Sequence, residues 1–515
     1  MILGELIQHL GLRAHGAIDL GATIAGLTED SRRVAPGWVF VARPGLQSDG
    51  RRFIAAAIGA GAAAVITDQP PEGLPASSPL LLAHDPSVAG AQLAERLAGS
   101  PSRSLRVVGV TGTNGKTTVA TLVYQISRLA GVPCGLIGTV EIDDGTGPRP
   151  SDFTTPPAER LSPLLAAMRS NGCVAAAMEV SSHSLDQRRA AGLRFAAAIF
   201  TNLTGDHLDY HGDMERYAHA KSRLFEQLEP EAIAVLNADD PWSPAMAAPC
   251  AAPIVWCSLG RPQAGAPAAR ATIHEADASG MAIELAGPWG LLRTRTALIG
   301  AHNAMNLLQA LVVCTEGLGV PRDQLGAIVP ELRAPTGRLE PVHGPGDDVA
   351  VLVDFAHSDD ALASALRAAR LATPAGARLW AVFGCGGDKD RTKRPRMGAA
   401  AASLADRVIV TSDNPRTEDP EAIIDEVFRG IAGAPPGVVR RQADRREAIR
   451  EALHAAAPGD VVVIAGKGHE REQILPDGRG GTRRIPFDDH AVARAALDER
   501  RADAPLACAA RRGTA

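Results

Sequence analysis

Short apolar runs alternate with Gly- and Pro-bearing turns over residues 1 to about 103, with WVFVA at 38–42, AAAVIT at 62–67 and PLLLA at 79–83 reading as strands. They predict a small α/β domain closing near GSPSR, 99–103. A second series opens with the buried-strand pattern LRVVGVTG, followed by a predicted helix from Lys116 to about Leu129. Further strands are predicted at GLIGTV (135–140), VAAAMEV (174–180), AAAIFTNL (196–203) and AIAVLNA (232–238), with helical stretches between them. That alternation marks a parallel sheet with crossover helices. Residues 247–300 are Ala/Pro/Gly-rich and partly alternating (ATIHEA, MAIELAG, LLRTRTAL), which predicts a hairpin-rich insertion. After GRLEPV (337–342) a third α/β series follows: VAVLVDFAH, RLWAVFGCGG, DRVIVTSDNPR and DVVVIAGKGHE. Each of these strands ends in polar residues and Gly, and ligands of open parallel sheets gather at such carboxyl ends. The fold class expected is α/β in three domains: 1–103, a central P-loop domain at 104–336, and a Rossmann-like domain at 337–500. Residues 501–515 are expected to form a disordered tail.

Length agrees with that division, since 515 residues exceed what one core organises. A net charge of -5 gives no global basic face, so nucleic acid is not an expected partner. The seven Cys are scattered without CxxC or zinc spacing and read as reduced thiols of a cytoplasmic protein. No run reaches the roughly 20 apolar residues of a membrane span, and MILGELIQHLGLRAHG is too polar for a signal peptide. A monomer without membrane insertion is expected. Only five of the 53 basic residues are Lys, at 116, 221, 389, 393 and 467. In so Arg-biased a chain, a retained Lys points to a place where a planar, permanently charged guanidinium cannot substitute.

Candidate chemistry begins with VVGVTGTNGKTT (107–118), a strand, a Gly-rich turn and a helix. Backbone N–H groups of Gly112, Thr113, Asn114 and Gly115 and the helix start can cradle phosphates. Lys116 can reach the terminal ones, Thr117 can ligate Mg2+, and Thr118 follows. Val110 stands where the longer phosphate-loop pattern has Gly, so the match is to G-x-x-G-K-T. ATP is the expected co-substrate. Glu179 ends a buried strand, where a carboxylate can face that loop and hold Mg2+. Lys221 lies on a predicted helix in RYAHAKSRLF, a setting equally compatible with a solvated face or a phosphate partner.

Ten blocks occur in order: TGTNGKTT, EVSSHSLDQRR, NLTGDHLDYHG, YAHAKSRLF, GAHNAMN, GRLE, FAHSDDAL, FGCGGDKDRTKRP, DNPR and GKGHE. In these the chain resembles the Mur ligase family, in particular its diaminopimelate-adding type, over nearly its whole length. The resemblance implies an N-terminal domain for the UDP end of the substrate, a central one for ATP and a C-terminal one for the incoming amino acid. It implies ATP-dependent addition of meso-2,6-diaminopimelate to the D-glutamyl carboxylate of UDP-N-acetylmuramoyl-L-alanyl-D-glutamate, through an acyl phosphate, with two Mg2+ ions. His207 and a carbamylated Lys221 would hold the second ion, and Asn303, Arg338 and Asp354 would lie near the nucleotide. Ser31 and the loop Leu46-Gln47-Ser48 match the uridine region, and Thr154, Thr155, Ser181, Gln187 and Arg189 the muramoyl-dipeptide grip. Lys389, Asp413, Asn414, Pro415, Arg416, Gly466 and Glu470 would bind diaminopimelate. Leu46, Phe153 and Lys389 replace a frequent His, Asn and Arg, and FAHSD departs from the family's YAH-x-P around His357. Arg416 is suited to pair bidentately with the second carboxylate of diaminopimelate, which lysine lacks. Rival expectations are a lysine-adding ligase, a folylpolyglutamate synthase, or a P-loop ATPase without ligase activity.

Overall fold

The computed structural model describes every residue except 46–48, 261, 263–265, 432, 434, 436 and 513–515, with the backbone alone for 503–512. The chain forms two compact units, residues 1–269 with 309–322 and residues 270–308 with 323–515.

In the first unit, β1 (Arg13–His15), β2 (Gly26–Thr28), β3 (Trp38–Val41), β4 (Ala64–Thr67) and β5 (Leu80–Leu82) form one sheet in the order β1-β5-β4-β3-β2. The apolar runs read from sequence are its inner strands, and Val39, Val41, Ile66 and Leu81 pack there with Leu93. Leu93 belongs to the helix Pro86–Leu97, whose start is fixed by Asp85 accepting the Ser87 and Val88 N–H groups at 2.9 and 3.2 Å.

The second sheet of this unit is centred on β6 (Arg106–Thr111) and includes β7 (Cys134–Ile137), β8 (Glu141–Asp143), β9 (Pro148–Pro150), β10 (Ala175–Glu179), β11 (Ala197–Phe200), β12 (Ile233–Asn237) and β13 (Ile254–Ser258). Their order is β13-β12-β11-β6-β10-β7-β8-β9. Both neighbours of β6 run parallel to it, so the carboxyl ends of β6, β10 and β11 lie side by side. The strand expected over 135–140 ends at Ile137, because Gly138 donates to the Glu141 carbonyl at 3.0 Å and turns the chain into β8. β13, expected within a hairpin-rich insertion, instead pairs parallel with β12.

The division expected at 103/104 lies inside this first unit. A Cβ on Gly192 would stand 2.4 Å from the Ala91 carbonyl oxygen, and the Arg194 N–H donates to Ser102 Oγ at 3.0 Å.

The second unit contains the antiparallel meander of β14 (Ala269–Asp277), β15 (Gly280–Gly287) and β16 (Gly290–Thr296). Its main sheet comprises β17 (Glu340–Pro341), β18 (Ala350–Asp354), β19 (Leu379–Cys385), β20 (Arg407–Ser412), β21 (Val439–Arg441) and β22 (Val461–Ala465). The order is β17-β18-β22-β19-β20-β21, parallel from β18 onward. Near-continuous Val, Ile and Leu runs suit strands buried on both faces. A hairpin of β23 (Glu472–Pro476) and β24 (Thr482–Pro486) follows. The stretch expected to be a disordered tail continues the helix Asp489–Arg512 up to Arg512. Its Ala and Arg content favours helix over coil.

Candidate active site

The phosphate loop lies between β6 and the helix Lys116–Leu129, as its sequence predicts. Gly112 has φ 149°, and a Cβ there would stand 1.9 Å from Thr201 Oγ1, so only glycine fits. The loop is pinned from the carboxyl end of β11: Thr113 N–H donates to the Asn202 carbonyl at 2.8 Å, and Asn114 N–H to Asn202 Oδ1 at 3.0 Å. Lys116 Nζ bonds the carbonyls of Gly112 and Thr113, both at 2.9 Å. Glu179, at the end of β10, is buried. Its Oε2 accepts from Thr117 Oγ1 at 3.1 Å, and its Oε1 accepts from the Thr139 N–H at 2.6 Å. Thr139 Oγ1 lies 3.0 Å from both Glu179 Oε2 and Thr154 Oγ1. Thr139 was not anticipated, since it sits in a turn whose sequence alone gives no sign that it reaches Glu179.

Lys221 sits on the buried face of the helix Met214–Glu226, one turn after Tyr217. Its Nζ donates to the Gly112 carbonyl at 2.9 Å and lies 4.4 Å from the Tyr217 ring centre. Lys116 and Lys221 therefore share one carbonyl oxygen. Complete burial, and next the charge on Lys116, push the Lys221 amine well below its ordinary pKa. His207, at φ 54°, stands 4.8 Å from the His183 ring and 6.5 Å from that of Tyr217. Burial lowers the pKa of both imidazoles, that of His183 to about 4. Among the described residues no group of three or more His, Cys, Asp or Glu side chains is arranged to hold a metal. The Thr117 hydroxyl and the Glu179 carboxylate nevertheless supply the hard oxygens that Mg2+ takes when phosphate oxygens complete its shell.

A cleft of about 1100 Å³ in the same unit is lined by Ser31, Arg32, Arg43, Glu159, Gln187 and Tyr210, among others. Ser31 begins a short 3-10 turn capped by Asp30. Leu46, Gln47 and Ser48 lie outside the described residues, next to the cleft-lining Gly45. Thr155 Oγ1 donates to the Glu179 carbonyl at 2.9 Å and accepts from the Ser181 N–H at 3.1 Å, tying Thr155 and Ser181 to the strand that ends in Glu179. The Arg189 guanidinium holds the Thr155 carbonyl at 2.7 Å and Gln187 Oε1 at 2.9 Å. Phe153 is exposed, with the Arg160 guanidinium over its ring.

In the second unit, Asp413, Asn414, Pro415 and Arg416 follow β20, and Gly466 and Glu470 follow β22. Arg416 holds φ 55°, an uncommon conformation for a side-chain-bearing residue, and its Nη1 donates to the Gly387 carbonyl at 2.7 Å. Its Nε and Nη2 make no hydrogen bond among the described residues. Asn414 Nδ2 donates to Glu470 Oε2 at 2.7 Å. A Cβ added to Gly466 would lie 3.6 Å from the Asp413 carboxyl, whose pKa is raised by burial. Asn303 is buried, donates to the Ile299 carbonyl at 2.9 Å and accepts from Asn306. Asp354 accepts the Leu339 and Ala356 N–H groups at 2.7 and 2.8 Å, and Arg338 lies over the Phe355 ring at 4.9 Å. Buried Lys467 and Arg394 were not singled out, although Lys467 is one of the five retained lysines.

A phosphate loop faced by a strand-end carboxylate, with a separate polar cluster at the strand ends of another parallel sheet, is the pattern of an enzyme that uses a nucleoside triphosphate. Residues 110–314 match the Mur ligase middle domain, 337–468 the Mur ligase glutamate ligase domain, and 23–96 the Mur ligase family catalytic domain. The chain belongs to the Mur ligase family, and it is an ATP-dependent amide-forming ligase. It is 44% identical over 506 residues to a Gloeobacter violaceus protein named UDP-N-acetylmuramoyl-L-alanyl-D-glutamate--2,6-diaminopimelate ligase, covering 97% of this chain and 99% of that one. A Chlorobaculum tepidum protein of the same name is 46% identical over 480 residues, covering 92% and 94%. A solved structure of a ligase with that name superimposes with a TM-score of 0.69 at 33% identity, covering 97% of this chain and 99% of the other.

Proposed function

We propose that the protein adds meso-2,6-diaminopimelate to the D-glutamyl γ-carboxylate of UDP-N-acetylmuramoyl-L-alanyl-D-glutamate, with ATP as co-substrate, in cytoplasmic synthesis of peptidoglycan precursor. The γ-phosphoryl group passes to the carboxylate, releasing ADP and leaving an acyl phosphate. The acceptor amine then attacks the acyl carbon, inorganic phosphate leaves, and the nitrogen loses a proton. Lys116 and the loop amides bind the phosphates, and the cleft at Ser31 and Gln187 takes the sugar nucleotide. Thr155, Ser181 and Arg189 orient its dipeptide. Mg2+ fits Thr117 and Glu179, where it would neutralise charge as carboxylate and triphosphate meet. A second ion fits His207 and Lys221 only once Lys221 carries an anionic oxygen. The buried amine, once neutral, is suited to take up CO2, forming a carbamate with release of a proton. Asn303, Arg338 and Asp354 are assigned to the nucleotide end, and Lys389 with the DNPR segment to the acceptor.

The observation that carries the acceptor assignment is Arg416, held by one nitrogen and offering its other two donors. Diaminopimelate supplies a distal carboxylate for them, and lysine would leave a desolvated guanidinium without its partner. With ATP, Mg2+ and the UDP-muramoyl-dipeptide, mass spectrometry of products should show diaminopimelate incorporated at least about 10³-fold faster than lysine. Comparable rates with the two amino acids would refute the assignment.

A further inference from the structure

We propose that Lys467 is a positioning residue for the acceptor amino acid, a role that rests on the acceptor assignment above. It follows β22 between two glycines, and its side chain is fully buried. Nζ lies 3.0 Å from Asn414 Oδ1, 3.0 Å from Glu470 Oε2 and 3.8 Å from Asp413 Oδ1. Three acceptor-site side chains, coming from two different strand ends, thus converge on one ammonium.

The geometry fixes more than charge balance. Asn414 Oδ1 also accepts the Ile474 N–H at 2.9 Å, so the amide cannot turn over, and its Nδ2 must point at Glu470 Oε2. Glu470 Oε2 then receives two donors, Lys467 Nζ and Asn414 Nδ2, which leaves Oε1 for an incoming ammonium. Asp413 Oδ1 is buried without a hydrogen-bond partner among the described residues. The fully buried pair of Arg445 and Asp489 (2.7 Å) also acts electrostatically on Asp413. Two cations face three carboxylates in this cluster, so one negative charge is in excess and matches the ammonium of an amino acid. Without Lys467 the Asp413 and Glu470 carboxylates would repel, and the cheapest relief, uptake of a proton, would erase that charge. A compact ammonium with rotatable donors can serve all three oxygens from within the fold, and a planar fork cannot, which accounts for a Lys in so Arg-biased a chain.

The test is Lys467→Met, assayed by steady-state kinetics for each substrate. The KM for diaminopimelate should rise at least tenfold, while the KM values for ATP and the UDP-muramoyl-dipeptide stay within twofold. An unchanged diaminopimelate KM, or a parallel rise in all three, overturns the proposal, since a merely structural lysine would spare the first or spread its loss. Should the variant fail to fold, the wild-type enzyme labelled with [13Cε]lysine gives only five side-chain signals, and replacing the other four lysines singly with Arg identifies that of Lys467 by elimination. With a non-hydrolysable ATP analogue and the UDP-muramoyl-dipeptide present, adding diaminopimelate should move that signal, and an unmoved signal overturns the proposal. Should the wild type use lysine in place of diaminopimelate, the acceptor assignment fails while the positioning role is read from the KM for lysine in the same way.

Discussion

Two lysine side chains meet at the Gly112 carbonyl, and burial with the neighbouring charge lowers the pKa of one of them, Lys221. Lys116 begins its helix beside the phosphate loop, whereas Lys221 is sealed against Tyr217 with the Lys116 charge close by. Desolvation disfavours the charged form of the sealed amine, and a neutral amine is the species that combines with CO2. Enzyme exchanged with 13C-bicarbonate should therefore show a carbamate carbon signal that is absent from Lys221→Arg. Lys221→Ala should lose about 10²-fold or more in kcat and regain part of it with added short carboxylates. A wild-type spectrum without that signal, or a fully active Lys221→Arg, would remove the carbamate. Residue bias together with family resemblance pointed to position 221, and the structure buries that side chain completely. The shared carbonyl was not, because residues 112 and 221 are brought together only when the helix packs on the loop.

Between elements, Arg394 joins the helix Lys393–Leu404 to the helix Pro420–Phe428 and the turn before it. Fully buried, it donates to Glu418 at 2.8 and 2.9 Å and to Glu426 at 2.8 Å. Its hydrogen bonds hold the Glu418 carboxyl down at about 2, from an ordinary 4.5. A depressed carboxyl stabilises the fold above its unfolded pKa, and that contribution is lost as pH falls from about 4.5 toward 2. Partial exposure and solvent screening keep it below the roughly 3.5 kcal/mol that the full shift would give at about 1.4 kcal/mol per pKa unit. Glu418→Gln should lower the melting temperature near pH 7 and flatten its decline between pH 4.5 and 2 relative to wild type. Parallel melting curves across that range would refute the pairing. Nothing local in DRTKRP marks Arg394 as the residue that helix packing buries completely. The helix Lys116–Leu129, by contrast, has the limits its sequence predicts, because a Gly-rich turn sets its start and apolar spacing its length.

For the whole molecule, ligation predicts that phosphate release depends on all three substrates together. With ATP and Mg2+ alone, release should stay below about 1% of the full rate, and adding either the UDP-muramoyl-dipeptide or diaminopimelate singly should not restore it. Rapid ATP turnover with neither present would favour a nucleotide-driven module over a ligase. The α/β class, the phosphate loop, the strand-end acid at Glu179 and the DNPR segment follow from sequence because each is a local pattern: a periodicity, a turn or a strand terminus. Tertiary structure decided the rest: Thr139 on Glu179, and Lys467 against Asn414 and Glu470. These depend on which distant segments pack together, and burial, which lowers the pKa of Lys221 and encloses Lys467, exists only once they have done so.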